Sequence, residues 1–100
     1  EMCIRDSIQA ASWALYEEVI FDSKEIISKD WDSYKIIGFD NIPVFTTSVI
    51  DQKGSPYLGV GEVVAGPTGA AISNALCNAL GQRIKILPFT KDNITKELLN

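Results

Sequence analysis

Residues 66–81 read Gly-Pro-Thr-Gly-Ala-Ala-Ile-Ser-Asn-Ala-Leu-Cys-Asn-Ala-Leu-Gly. Pro67 opens a helix at a position where its missing N–H costs nothing. Ile72, Leu76, Ala79 and Leu80 fall on one helical face with Ala71 and Ala75 beside it, and Gly81 supplies a left-handed stop. Downstream, residues 83–87 alternate as a strand that ends at Pro88, and Thr90 caps a last helix carrying Ile94 and Leu98 at i, i+4. Upstream, residues 44–50 (VFTTSVI) have the composition of a strand, closed by the turn Asp51-Gln52-Lys53-Gly54. Asp40-Asn41 is a turn signal before Pro43. In residues 31–37, Tyr34 and Ile36 alternate against Ser33 and Lys35, again as an extended segment. Two shorter strands, over 19–21 and 26–27, flank a turn at Asp22-Ser23-Lys24. Ile8, Ala11, Leu15 and Val19 recur at helical spacing and predict an amphipathic helix over 8–19. The expected order is helix, short antiparallel strands, helix, strand, helix, which is an α+β layer.

Composition bounds the function classes. One hundred residues, 46% hydrophobic and 22% charged, build one small domain at most. The net charge of −4 divides unevenly, with nine acids and four bases in residues 1–50 and four acids and five bases in residues 51–100. Neither half offers the basic stripe that nucleic acid requires. No apolar run reaches the length of a membrane span, and no secretory leader is visible. Histidine is absent, which removes the usual zinc sites and every Ser-His or Cys-His nucleophile. Cys3 and Cys77 form no CxxC; Cys77 falls on the apolar face of the central helix and is expected in the core. Met2 to Ser7 resembles a translated sequencing-adapter remnant. Residues 1–7 are therefore expected to be a non-native tail, against the alternative of a genuine first helical turn, with the domain proper over 8–100.

The chemistry is expected in Ser55-Pro56-Tyr57-Leu58-Gly59-Val60-Gly61-Glu62, just ahead of Gly66-Pro67. Glycines at alternate positions let a backbone approach a large ligand closely. Glu62 stands before a helix N-terminus, where the macrodipole favours a carboxylate, and on local pattern alone it reads as a helix-start residue. The Gly-x-Gly pair lacks the GxGxxG spacing of a dinucleotide fold and the lysine of a P-loop. Glu17, Glu18, Asp30 and Asp32 read as solvated faces, and Trp13, Trp31 and Tyr34 as core or interdomain packing.

Taken in order, several pieces resemble the C-terminal part of the molybdopterin-binding large subunit of the xanthine dehydrogenase and aldehyde oxidase family. They are most similar to its bacterial nicotinate and isoquinoline oxidoreductase-like branch. These pieces are Trp13-Ala14-Leu15-Tyr16-Glu17-Glu18, Tyr34-Lys35-Ile36, Asp40-Asn41-Ile42-Pro43, Gly59-Val60-Gly61-Glu62, Gly66-Pro67, Ala70-Ala71-Ile72-Ser73-Asn74-Ala75, Gly81-Gln82-Arg83-Ile84 and Leu87-Pro88-Phe89-Thr90.

The resemblance implies a molybdenum hydroxylase in which Glu62 is the general base beside the metal. Gly59, Val60 and Gly61 border the cofactor, and no residue of this chain is a direct metal ligand. It implies a molybdenum–molybdopterin cofactor in its cytosine dinucleotide form, with oxo, sulfido and hydroxyl ligands on the metal. Iron–sulfur clusters would lie on a partner subunit or domain, and the substrate would be an N-heterocycle or an aldehyde. Val63-Val64 stand where the xanthine-oxidising branch usually carries prolines, which argues against a purine. The family's pterin-binding segments lie upstream of anything in this chain, so a fragment inactive alone is expected, partnered by the remainder of its own large subunit. The alternatives are a stand-alone α+β interaction module and a small subunit that completes a split enzyme.

Overall fold

The first helix is built on alanine. In the computed structural model, which describes residues 2–99, α1 spans Met2–Leu15 and buries Ala10, Ala11 and Ala14, side chains small enough for close packing. It starts six residues before the expected 8–19, because residues 2–7 continue the same helix, with the Ser7 hydroxyl donating to the Cys3 carbonyl at 2.7 Å. It also stops four residues early. The N–H groups of Tyr16 and Glu17 both turn to the Ser12 carbonyl, at 2.9 and 3.2 Å, and the β-branched Val19 and Ile20 follow outside the helix.

A second helix, α2, spans Ala65–Leu80 and begins two residues before Pro67, which sits in its first turn. Gly81 ends it in the left-handed region at φ 72°, its N–H donating to the Cys77 carbonyl at 2.9 Å. The last helix, α3, spans Lys91–Leu98 and is capped as expected, the Thr90 hydroxyl oxygen accepting from the Asn93 N–H at 3.2 Å. The α1–α2 pair meets around a small core of Ala14, Ile84 and Phe89, with Leu15, Ile72, Leu76 and Ile94 packed against it. Cys77 is only half-buried, and Trp13 and Trp31 are exposed, outside the core of this chain, which leaves the interdomain alternative for them.

The expected α+β layer is wrong: the chain is all-helical, with no β-strand among the described residues. Each expected strand has its own reason for failing. Around the Asp22 turn, one isolated antiparallel bridge joins Phe21 to Ile26, and a single bridge is no sheet. In residues 31–37 a local turn wins: the Asp30 carboxylate accepts from both the backbone N–H and the hydroxyl of Ser33. Residues 44–50 have a strand's composition but no neighbouring strand among the described residues, and β-propensity expresses fit to a pleated, half-buried surface. In 83–87 the alternation reflects burial of Ile84 (2% exposed) in the helical core, while the Lys85 N–H donates to the Glu97 carboxylate at 2.8 Å. The expected turn at Asp40-Asn41 is present as a single 3-10 turn over Phe39–Asn41.

The folded body is small relative to the chain. The radius of gyration is 16.5 Å, whereas a compact chain of this length has about 13 Å. The accessible surface is 8122 Å², against about 5,600 Å² for a compact monomer of this mass. The excess, roughly 2,500 Å² on that scaling, is partly an extended segment over 43–61 and partly α2, of which no residue is fully buried.

Candidate functional site: an unpartnered carboxylate ahead of the second helix

Glu62 lies two residues before Val64, the residue that flanks the start of α2, and it is exposed. Its backbone carbonyl accepts from the Ala65 N–H at 3.2 Å, which ties the main chain to the helix start. Among the described residues, nothing hydrogen-bonds or pairs with its carboxylate, and no side chain caps α2. The local expectation of a helix-start role therefore lacks the hydrogen bond that would define it. At Gly59 and Gly61 an added Cβ would meet nothing within 4 Å, and neither backbone is left-handed. Among the described residues nothing requires glycine there. Val60, between them, is partly exposed. Glu62, Gly59, Val60 and Gly61 thus share one open edge. They fit a large cofactor as one wall of a site, not as an enclosing pocket. Among the described residues no group of three or more Cys, Asp or Glu side chains could hold a metal ion.

The other carboxylates divide. Glu18 and Asp32 are solvent-exposed, as expected, and Asp30 serves its turn. Glu17 is different. Its carboxylate accepts from the Ser12 hydroxyl at 2.5 Å through one oxygen and from the Tyr34 hydroxyl at 2.6 Å through the other. The same Ser12 oxygen accepts from the Ile37 N–H at 3.0 Å. These bonds raise the Tyr34 pKa, first through the hydrogen bond to Glu17 and then through burial and the carboxylate's charge. The knot holds residues 34–37 against the end of α1. Sequence reasoning missed it; the available signal was Ser12 itself, a polar residue between Ala11 and Ala14 on the packing face. Beside the knot, Ile4, Ile8, Ile36, Ile37, Phe39 and Ile42 line an open apolar groove of about 620 Å³.

The chain is homologous, over about nine-tenths of its length, to a short segment of molybdenum hydroxylase large subunits. It is 34% identical over 91 residues to one of the subunits of the nicotinate dehydrogenase of Pseudomonas putida, an alignment covering 91% of this chain and 8% of that protein. It is 30% identical over 91 residues to the xanthine dehydrogenase molybdenum-binding subunit of Escherichia coli, covering 85% of this chain and 12% of that one. The chain therefore spans about a tenth of the length of the curated relatives it matches. No protein-family profile matches it. The resemblance drawn from the motifs is borne out at this level.

Proposed function

We propose that this chain is a segment of a molybdenum hydroxylase large subunit and supplies the general base, Glu62, for oxidative hydroxylation of an N-heterocycle or aldehyde carbon. The observation that carries the reading is the exposed, unpartnered Glu62 carboxylate on the open Gly59-Val60-Gly61 edge. A molybdenum–molybdopterin cofactor, in its cytosine dinucleotide form, would supply the redox chemistry when bound, with iron–sulfur clusters of a partner as the outlet for electrons. The backbone of Gly59, Val60 and Gly61 borders the cofactor. Glu62 would take up and hold a proton at a carboxylate oxygen, and among the described residues no donor occupies that oxygen. The homology to molybdenum-binding subunits and the uncovered α2 both favour a segment over a self-sufficient module. The chain spans about a tenth of the length of these relatives, and alone it is expected to be inactive.

Glu62→Gln in the complete enzyme is the test, with molybdenum content measured alongside turnover. The variant keeps shape and hydrogen-bonding reach and loses basicity. It is expected to retain the metal and lose about 10²–10⁴-fold in turnover. A deficit below roughly tenfold, with metal retained, sinks the assignment. The exposed Glu18, changed to Gln, is the control and is expected to leave turnover unchanged.

A further inference from the structure

The nineteen residues 43–61 join the folded body to Glu62, and all of them are exposed except Phe45, which is half-buried. Five large apolar side chains on this segment, Val44, Val49, Ile50, Tyr57 and Leu58, are between 84% and 99% exposed. Apolar surface in that amount on a soluble chain marks a place that something covers. We infer that residues 43–61 are a docking arm. In the parent subunit they lie along an apolar cleft of that subunit's remaining polypeptide, and this seating places Glu62.

Three observations select that occupant. The first is charge. Between 43 and 61 the charged residues are Asp51 and Lys53 alone, which sum to zero. Anionic lipid headgroups and nucleic-acid phosphates require a basic cluster, whereas a protein interior accepts a neutral, apolar segment. The second is area. The surplus surface of roughly 2,500 Å² over a compact monomer is about three times what one partner contributes to a standard interface. A second copy of this chain would have to cover it through one self-complementary patch. Here the surplus is divided between an extended arm, turned at Gly54 (φ 85°), and a helix with no buried residue. The third is connectivity. In the relatives the homologous segment lies within chains roughly ten times as long, so the covering surface belongs to the same polypeptide and is present at high effective concentration.

The consequence concerns position. Among the described residues no side chain holds the Glu62 carboxylate, and the Ala65 N–H to Glu62 carbonyl bond fixes its main chain from the α2 side. The arm fixes it from the other side. Val49, Ile50 and Leu58 are thereby positioning residues for Glu62 and touch no reacting atom. The inference rests on the reading of the chain as a segment of a larger subunit.

Lys53 is exposed at the arm's turn and gives trypsin a reporter there. The experiment compares the cleavage rate after Lys53 in the isolated chain with that in the full-length parent holoenzyme. Cleavage is expected to be at least tenfold slower in the parent. Equal rates overturn the arm, whatever Glu62 does. In the parent, Ile50→Ala with Leu58→Ala is expected to restore cleavage and to lower kcat with molybdenum retained. Unchanged kcat after restored cleavage overturns the positioning role. Protection of Lys53 in the isolated chain, rising with concentration alongside dimer formation in sedimentation, overturns the chosen occupant in favour of a second copy. Protection in the parent together with full turnover in Glu62→Gln retires Glu62 as the base and leaves the docked arm standing, so the two readings fail separately.

Discussion

The knot at Glu17 makes a quantitative prediction about what ties residues 34–37 to α1. Tyr34→Phe removes one hydroxyl donor, 2.6 Å from a partly buried carboxylate, and leaves ring packing in place. Hydrogen bonds to charged groups contribute about 1.5–3 kcal/mol. Glu17 is half-buried, so water recovers part of that, and the expected cost is about 1 kcal/mol. Ser12→Ala should cost more. Ser12 is 3% exposed, and its hydroxyl both donates to Glu17 and accepts the Ile37 N–H, so the substitution leaves a backbone donor without its acceptor. An orphaned group adds about 1–3 kcal/mol, and the higher helix propensity of Ala returns at most about 0.5 kcal/mol. The expected cost of Ser12→Ala is therefore about 2–3 kcal/mol. Urea unfolding of the chain, followed by circular dichroism, measures both, and a Tyr34→Phe/Glu17→Gln double-mutant cycle isolates the shared term. A coupling energy near 1 kcal/mol is expected. Coupling indistinguishable from zero, or a Tyr34→Phe cost exceeding that of Ser12→Ala, refutes the argument.

Gly81→Ala should lower stability by about 1–2 kcal/mol, because Gly81 holds φ 72° where an L-residue is strained even though the space around it is open. Thermal melts would show this, and Gly59→Ala, at an open position without positive φ, should stay within about 0.5 kcal/mol in the isolated chain. The raised Tyr34 pKa predicts a pH dependence as well. The folded state keeps this proton to higher pH than the unfolded state, whose tyrosine titrates near its ordinary value of 10.0. The contribution of Tyr34 is full below that value and is lost as pH rises through the folded pKa. The stability gap between the native chain and Tyr34→Phe should narrow above pH 10, and a gap unchanged into stronger alkali would contradict it.

What could be read from the sequence is what the chain satisfies internally. The Gly81 stop, the Thr90 cap and the turns at Asp22 and Gly54 are settled by residues within a few positions of one another, and the structure has each of them. Strands are different, because a strand is defined by its partner. Residues 44–50 and 83–87 carry the alternation and composition of strands, yet the first meets no ladder and the second folds its one buried residue, Ile84, into a helical core. The knot was illegible for the opposite reason. Its members, Ser12, Glu17, Tyr34 and Ile37, come together only once the 18–33 excursion has closed, and no periodicity records that closure. Glu62 combines both cases. Local pattern placed it at a helix start, where the macrodipole favours a carboxylate, but α2 makes no use of its side chain. A glutamate satisfied by its own helix would already have a donor at its oxygens. An exposed carboxylate without a protein donor is solvated, as those of Glu18 and Asp32 are, so Glu62 is set apart by its place at the end of the exposed apolar arm and not by a missing donor. The Lys53 and Glu62→Gln experiments therefore test seating and chemistry separately.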